Sequence, residues 1–245
     1  MSPAPNPTAR TAIAVSPLAL AAQAKWAFST RRVRQDRASQ LLADLAQARP
    51  GDLVLGRIVR IGFQKRLQLA SGRPADLYTG DLVVMACGAR YAPDQFEGLA
   101  ELDADEVDIL AAGGVLGRMR ERNAKVAAPT RVAPLGLLAD AAGKVINVGD
   151  HALPPLQAPT GMTVIGVVGA SMNSGKTTAS ASLAHGLQRA GFEVAAIKAT
   201  GTGAFGDYNS FVDSGARFVG DFTDVGMVST YNEPLERIEA GLDSL

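Results

Sequence analysis

The chain is short of the residues that build most metal and nucleophile centres. It has one cysteine, Cys87, which excludes an internal disulfide framework and any cysteine-cluster zinc site. Two histidines, His151 and His185, leave little for a histidine-based metal centre or catalytic triad. Aromatic residues make up only 5% of the sequence, so platforms for stacking nucleic-acid bases are scarce. No apolar run approaches the roughly 18 residues of a membrane span. The 24 basic and 24 acidic residues cancel, so net charge points to neither a nucleic acid nor a membrane partner.

What remains is enough for a packed core. The 245 residues are 47% hydrophobic and 20% charged, which fits one large or two small folded domains. Arg10, the stretch Thr11–Ala21 and Ala22-Gln23-Ala24 loosely imitate a secretory leader, but Pro17 interrupts the run and one Arg is a thin charged flank. A cytoplasmic protein with a Pro-rich, frayed start (Pro3, Pro5, Pro7) is the better reading.

The neutral balance hides a split. Residues 25–73 hold eleven Lys/Arg against three Asp, a net +8, while 94–108 hold seven acids and no base. Residues 156–245 carry five bases and nine acids, a net −4. A composition break falls at His151–Pro159, where Pro154, Pro155 and Pro159 mark a linker. The expected organisation is a flexible start over 1–24, a β-rich domain over 25–150, a linker over 151–160 and a nucleotide-binding domain over 161–245.

In the first domain, Leu41, Leu42 and Leu45 share one helical face, predicting a helix over Asp36–Ala48 stopped by Pro50-Gly51. Short apolar runs follow at strand length: Asp52–Ile61, Arg66–Ala70, Asp76–Tyr78 and Asp81–Cys87, with Gly- and Ser-bearing turns between them. Strands this close predict a meander or small barrel. Gly117–Asn123 reads as a short helix, and Pro134–Leu138 with Val145–Val148 as a hairpin. Cys87 reads as a small buried hydrophobe. The acidic run Glu101–Asp108 reads as a solvated helix start. Arg90–Glu97 has a site-like mix of Arg, Tyr, Asp and Gln with no evident mechanism, so a surface turn is its default.

The second domain changes rhythm. Met162–Val168 is a continuous apolar run, as expected of a strand buried on both faces of a parallel sheet. A loop follows, then a helix with Ala179, Leu183, Leu187 and Ala190 at near-fourfold spacing, closed by Gly191. Glu193–Ile197 is a second short strand, giving one βαβ unit. The loop reads Ala170-Ser171-Met172-Asn173-Ser174-Gly175-Lys176-Thr177-Thr178, the phosphate-loop pattern with Ala170 where the strict form has Gly. Backbone N–H groups of such a loop wrap an anion, and the helix N-terminus adds partial positive charge. Lys176 would reach β- and γ-phosphate oxygens, and the Thr177 hydroxyl would ligate magnesium. Beyond the second strand, Lys198 opens a Gly-rich loop (Gly201, Gly203, Gly206) at the carboxyl edge, where open α/β sheets bind ligands. Lys198 is assigned to an anionic substrate or phosphate and Asp207 to magnesium or substrate. Asp221 and Asp224 fit turn and capping roles better than an ion site.

The stretch from Gly169 to Ala216 resembles the P-loop family that contains dethiobiotin synthetase and the molybdopterin-guanine-dinucleotide biosynthesis adaptor. Gly175, Lys176, Thr177, Gly191, Lys198 and Asp207 match its order of loop, helix, turn, strand-ending Lys and Gly-rich loop with Asp. "KATGTG…DSGARFVGDF" is also similar to a P-loop family that includes bacterial D-glutamate N-acetyltransferases. The resemblance implies an α/β P-loop fold, ATP or GTP with magnesium as ligands, and Lys176 and Lys198 as catalytic groups. Ser171 and Met172 stand where the ParA and MinD branch carries an intersubunit Lys, which disfavours its sandwich dimer. After Asp224 no buried strand ends in an acid, and Glu233–Leu245 reads as a helix starting near Pro234. The expectation is a partial P-loop domain, either truncated or completed by a partner chain or second copy.

Three functions follow. One is a magnesium- and nucleotide-dependent ligase or transferase acting on a small molecule, a carboxylate or an amine. Another is a non-catalytic nucleotide-binding adaptor or switch for a partner protein. The third, nucleic-acid binding by the basic N-terminal barrel, is disfavoured: Arg-rich strands more often form a solvated face.

Overall fold

The computed structural model describes residues 17–155 and 160–245. Its elements in chain order are α1 (Pro17–Gln23), β1 (Lys25–Trp26), β2 (Gln40–Leu42), β3 (Leu53–Arg60), β4 (Arg66–Gln68), β5 (Pro74–Asp76), β6 (Leu82–Cys87), β7 (Arg90–Tyr91), β8 (Phe96–Leu99), β9 (Val107–Ala111), β10 (Val115–Arg122), β11 (Arg131–Ala139), α2 (Lys176–Arg189), β12 (Ala195–Lys198), α3 (Phe205–Asp213), β13 (Phe218–Asp221) and α4 (Leu235–Ser244). The result is a mixed, sheet-rich fold with few helices. The Pro-rich start up to residue 16 and linker residues 156–159 lie outside the described residues. α1 occupies the end of the stretch expected to be frayed, and Ala21 at its close is buried while its carbonyl accepts the Trp26 indole N–H at 2.9 Å.

Pairing in the first part returns on itself. β6 pairs antiparallel with β3, β3 with β11, β11 with β9 and β9 with β10, and β10 closes the ring by pairing parallel with β6. Side chains alternate across a strand, so a closed ring has an inside and an outside. Val54, Ile58, Val83, Met85, Cys87, Ile109, Leu116 and Val132 form one buried cluster. Their neighbours Leu53, Leu55, Val84, Ala86, Leu110 and Val115 form a second, covered by Ala21, Trp26, Val33, Ile146 and Val148. Both faces are thus buried, which is why these strands read as near-continuous apolar runs rather than strict alternation. Burial pushes the Cys87 thiol up to about 12, with the charge of Asp52 adding to the effect, so it stays a protonated hydrophobe.

Four readings of the sequence change. Asp36–Ala48 is no helix: a 3-10 turn at Gln35–Arg37 precedes β2, whose Leu41 and Leu42 pair with Leu138 and Leu137 of β11. Strand pairing overrides a helical spacing that only three leucines carried. Gly117–Arg122 is strand, part of β10, which pairs with β9 up to Gly117 and with β8 from Arg118 on. The acidic run is not a helix start either. Its last member, Asp108, lies buried in β9, paired with Arg131 at 3.1 Å and accepting the Met119 N–H at 2.9 Å.

The fourth correction concerns Met162–Val168. It forms no hydrogen-bonded strand, and Val164, Ile165 and Val168 are exposed. Buried parallel strands need neighbours, and among the described residues β12 and β13 pair only with each other. That parallel pair places Lys198 opposite Asp221 at its carboxyl end. α2 and α3 pack on each other and α3 on both strands. The barrel meets this unit directly. Val228 joins the outer barrel cluster, and Gly203 donates its N–H to the Val228 carbonyl. A Cβ on Gly113 of the β9–β10 turn would sit 1.9 Å from the Gly203 carbonyl oxygen, so only glycine permits that approach.

Candidate functional site

The loop from Ala170 to Gly175 turns back sharply. Asn173 is left-handed (φ 61°), and Gly175 at φ 88° precedes the first residue of α2. Glycine supplies that conformation without a Cβ penalty, and helix growth then starts at Lys176. The Lys176 ammonium folds over the loop, donating to the Ser171 carbonyl at 2.6 Å and lying 3.3 Å from the Ser174 hydroxyl. The ammonium is thereby held against the loop, with a loop carbonyl in the place that a bound anion would compete for.

One helical position later, the Thr177 hydroxyl donates to Asp207 Oδ1 at 3.0 Å. The other oxygen of Asp207, in the first turn of α3, receives the Lys198 ammonium at 2.6 Å. Partial burial works to raise the Asp207 pKa. The Lys198 charge and hydrogen bond, the Thr177 hydroxyl and the Lys176 charge outweigh it and hold the carboxyl below its ordinary value. Thr177, Asp207 and Lys198 are thus linked in a row beyond the ends of β12 and α2, near enough to Lys176 for its charge to act on Asp207. Ala170, Ser171, Met172 and Ser174 shape the loop, and Thr178 continues the first turn of α2. Two oxygen donors side by side, Thr177 and Asp207, are the residues that would hold a hard cation such as magnesium, once Asp207 exchanged its Lys198 partner for it.

Asp221 and Asp224 lie elsewhere. Both are fully buried, Asp221 at the end of β13 and Asp224 in the turn after it, where Asp221 Oδ1 accepts the Thr223 N–H and Asp224 Oδ2 accepts the Asp221 N–H, at 2.8 and 2.9 Å. Their charge is met from the barrel side: Arg31 pairs with Asp221 at 3.0 Å and Asp224 at 2.7 Å, and Arg32 with Asp224 at 2.6 Å. Phe28 places its ring 4.0 Å from the Arg31 guanidinium and edge-on to Phe205 and Tyr208 of α3. These acids act as turn and latch groups rather than an open ion site.

Sequence reasoning missed the barrel's contacts to this unit. Arg31 and Arg32, on the buried acids, are the first. Gln68 accepts the Phe205 N–H at 2.8 Å, satisfying a donor at the start of the helix that carries Asp207. Asn173 donates from its side-chain amide to Asp94 Oδ2 at 3.1 Å, joining the β7–β8 turn to the loop itself. Only Asp94 had a signal in the sequence, the unusual mixture in Arg90–Glu97.

No protein-family model, curated protein or solved structure matches the chain. Among the described residues, no helix is long and apolar enough to cross a membrane.

Proposed function

We propose that this chain binds the polyphosphate of a magnesium nucleotide, ATP or GTP, in the loop 170–178, as part of a P-loop domain serving a cytoplasmic ligase or transferase that acts on a small molecule. The observation that carries the reading is the Lys176 ammonium held over a left-handed loop, with Thr177, Asp207 and Lys198 linked beside it. In such a site Lys176 and magnesium would neutralise charge developing on a transferred phosphoryl group, and Lys198 would hold the anionic acceptor or its phosphate. Lys198 is bound to Asp207 here, so acceptor binding would exchange one anion for another at its ammonium.

The adaptor reading draws support from a different observation. The barrel contacts the loop through Asp94, the start of α3 through Gln68 and the turn after β13 through Arg31. A nucleotide seated in the loop would thereby act on a surface that a partner protein could read. Calorimetric titration with ATP, GTP and their diphosphates, with and without magnesium, tests both readings. Micromolar, magnesium-dependent binding that weakens at least about tenfold in Lys176→Ala is expected. Acceptor-dependent turnover would select the enzyme, and tight binding with negligible hydrolysis the adaptor. Full binding by Lys176→Ala would remove the proposed site.

A further inference from the structure

The backbone of the turn between β7 and β8 is braced from several sides. Ala92 and Gln95 close it, with the Gln95 N–H donating to the Ala92 carbonyl at 2.9 Å and the Ala92 N–H to the Phe96 carbonyl at 2.9 Å. Arg90 braces it from below. Its guanidinium donates to the Leu110 carbonyl and, at 3.0 Å, to Gln95 Oε1. Burial holds the Arg90 pKa below its ordinary value, with the nearby Asp94 charge opposing that shift. Asn123 clamps the turn from the side, its amide donating to the Pro93 carbonyl at 3.0 Å and its backbone N–H to the Gln95 carbonyl at 2.9 Å. Ala92 and Phe96, which flank the tip, are buried.

What this scaffold presents is Asp94, whose Oδ2 takes the Asn173 amide across 79 residues of sequence. An ionised carboxylate is acceptor-only, and here it stands at the rim of a loop whose other features favour anions. It adds nothing to phosphate binding and opposes it by like-charge repulsion. A barrel-braced turn carrying a fixed negative charge to that rim therefore sorts ligands by their charge.

We propose that Asp94 is a specificity-determining residue of the phosphate loop, selecting polyphosphate already neutralised by a divalent cation over the free anion. The proposal rests on the phosphate-binding reading above. Magnesium roughly halves the net charge of a nucleoside triphosphate, so the penalty from Asp94 falls in the same proportion. At a separation of about one Debye length and physiological ionic strength, the repulsion weakens the free anion about threefold and the magnesium complex less than about twofold. At about 0.01 M salt, where screening reaches roughly 30 Å, the effect on the free anion grows to about tenfold.

The experiment is calorimetric titration of the full chain with ATP and GTP, each with excess magnesium and with EDTA, at both ionic strengths. The variants are Asp94→Asn, which keeps a hydrogen-bonding side chain but no charge, and Asp94→Ala. Both should tighten metal-free binding by the factors above and, at physiological ionic strength, leave magnesium-complex binding within about twofold. A merely structural role would not move metal-free and metal-bound affinities apart in this direction. Unchanged metal-free affinity, with binding still dependent on Lys176, would overturn the role of Asp94 and leave the phosphate site standing. Weaker magnesium-complex binding in Asp94→Asn would also overturn it, by showing that Asp94 serves the metal. No binding of either nucleotide by any form would remove both readings together.

Discussion

Arg31→Ala withdraws the guanidinium that Asp221 and Asp224 share, and burial sets the cost. Both carboxylate side chains are 0% exposed and Arg31 is 10% exposed, so the pairs are shielded from solvent. Removing one member of a buried pair costs about 3–5 kcal/mol, because the charge left behind stays uncompensated. Asp224 keeps Arg32 at 2.6 Å, and Asp221 keeps the Thr223 N–H, which places the expected loss near the lower end, about 3 kcal/mol. With a urea slope of about 3 kcal/mol per molar for a chain of this size, the unfolding midpoint should fall by about 1 M. Far-ultraviolet circular dichroism and Trp26 fluorescence would follow the transition from both sides of the latch. Repeating the substitution in an Asp224→Asn background isolates the Arg31–Asp224 pair, and the cost there should drop by at least about 1 kcal/mol. A midpoint shift below about 0.3 M, or an equal shift in both backgrounds, would refute the reasoning.

The depressed Asp207 pKa makes a pH-dependent prediction with a definite sign. A carboxyl lowered on folding contributes stability that is fully present above its ordinary value, about 4, and is lost as pH falls through the lowered value. Asp207→Asn should therefore melt below the wild type at pH 7, with the gap narrowing once pH falls below the ordinary carboxyl value and through the lowered one; a gap independent of pH would exclude the Lys198 pairing as its source. Gly113→Ala forces a methyl to within 1.9 Å of the Gly203 carbonyl oxygen, with backbone on both sides. It should destabilise by about 3 kcal/mol in urea unfolding, and a change under about 0.5 kcal/mol would mean that the two turns do not meet.

The strands β3 and β6 were legible because apolar runs of strand length, bounded by turn residues, admit few other readings. β2 was not, because Leu41, Leu42 and Leu45 fit a helical period as well as a strand, and only pairing with Leu137 and Leu138 decides between them. β10 was misread although Arg118, Arg120 and Arg122 alternate at the strand period; the stretch is polar on both faces, and its pairing with β8 is what marks it as strand. At the candidate site, Lys176, Thr177, Lys198 and Asp207 could be named from the order of loop, helix and strand, since each lies at the end of a local element. Asp94 could be named only as one member of the site-like run Arg90–Glu97, with no partner to name, and Gln68 and Arg31 could not be named at all. Their contacts to the loop, α3 and the β13 turn span 79, 137 and 190 residues, distances over which local periodicity carries no information.

Met162–Val168 has a bearing on how this protein is handled. The segment holds no charge and no proline, and its valines and isoleucine stand in solvent. Short, uncharged, β-branched stretches with free backbone groups are the material of cross-β stacking, in which copies of one segment template the next. Self-association through this segment would rise with protein concentration. A single lysine at Val164 or Val168, both outward-facing, would act as a gatekeeper against self-association without touching the barrel core.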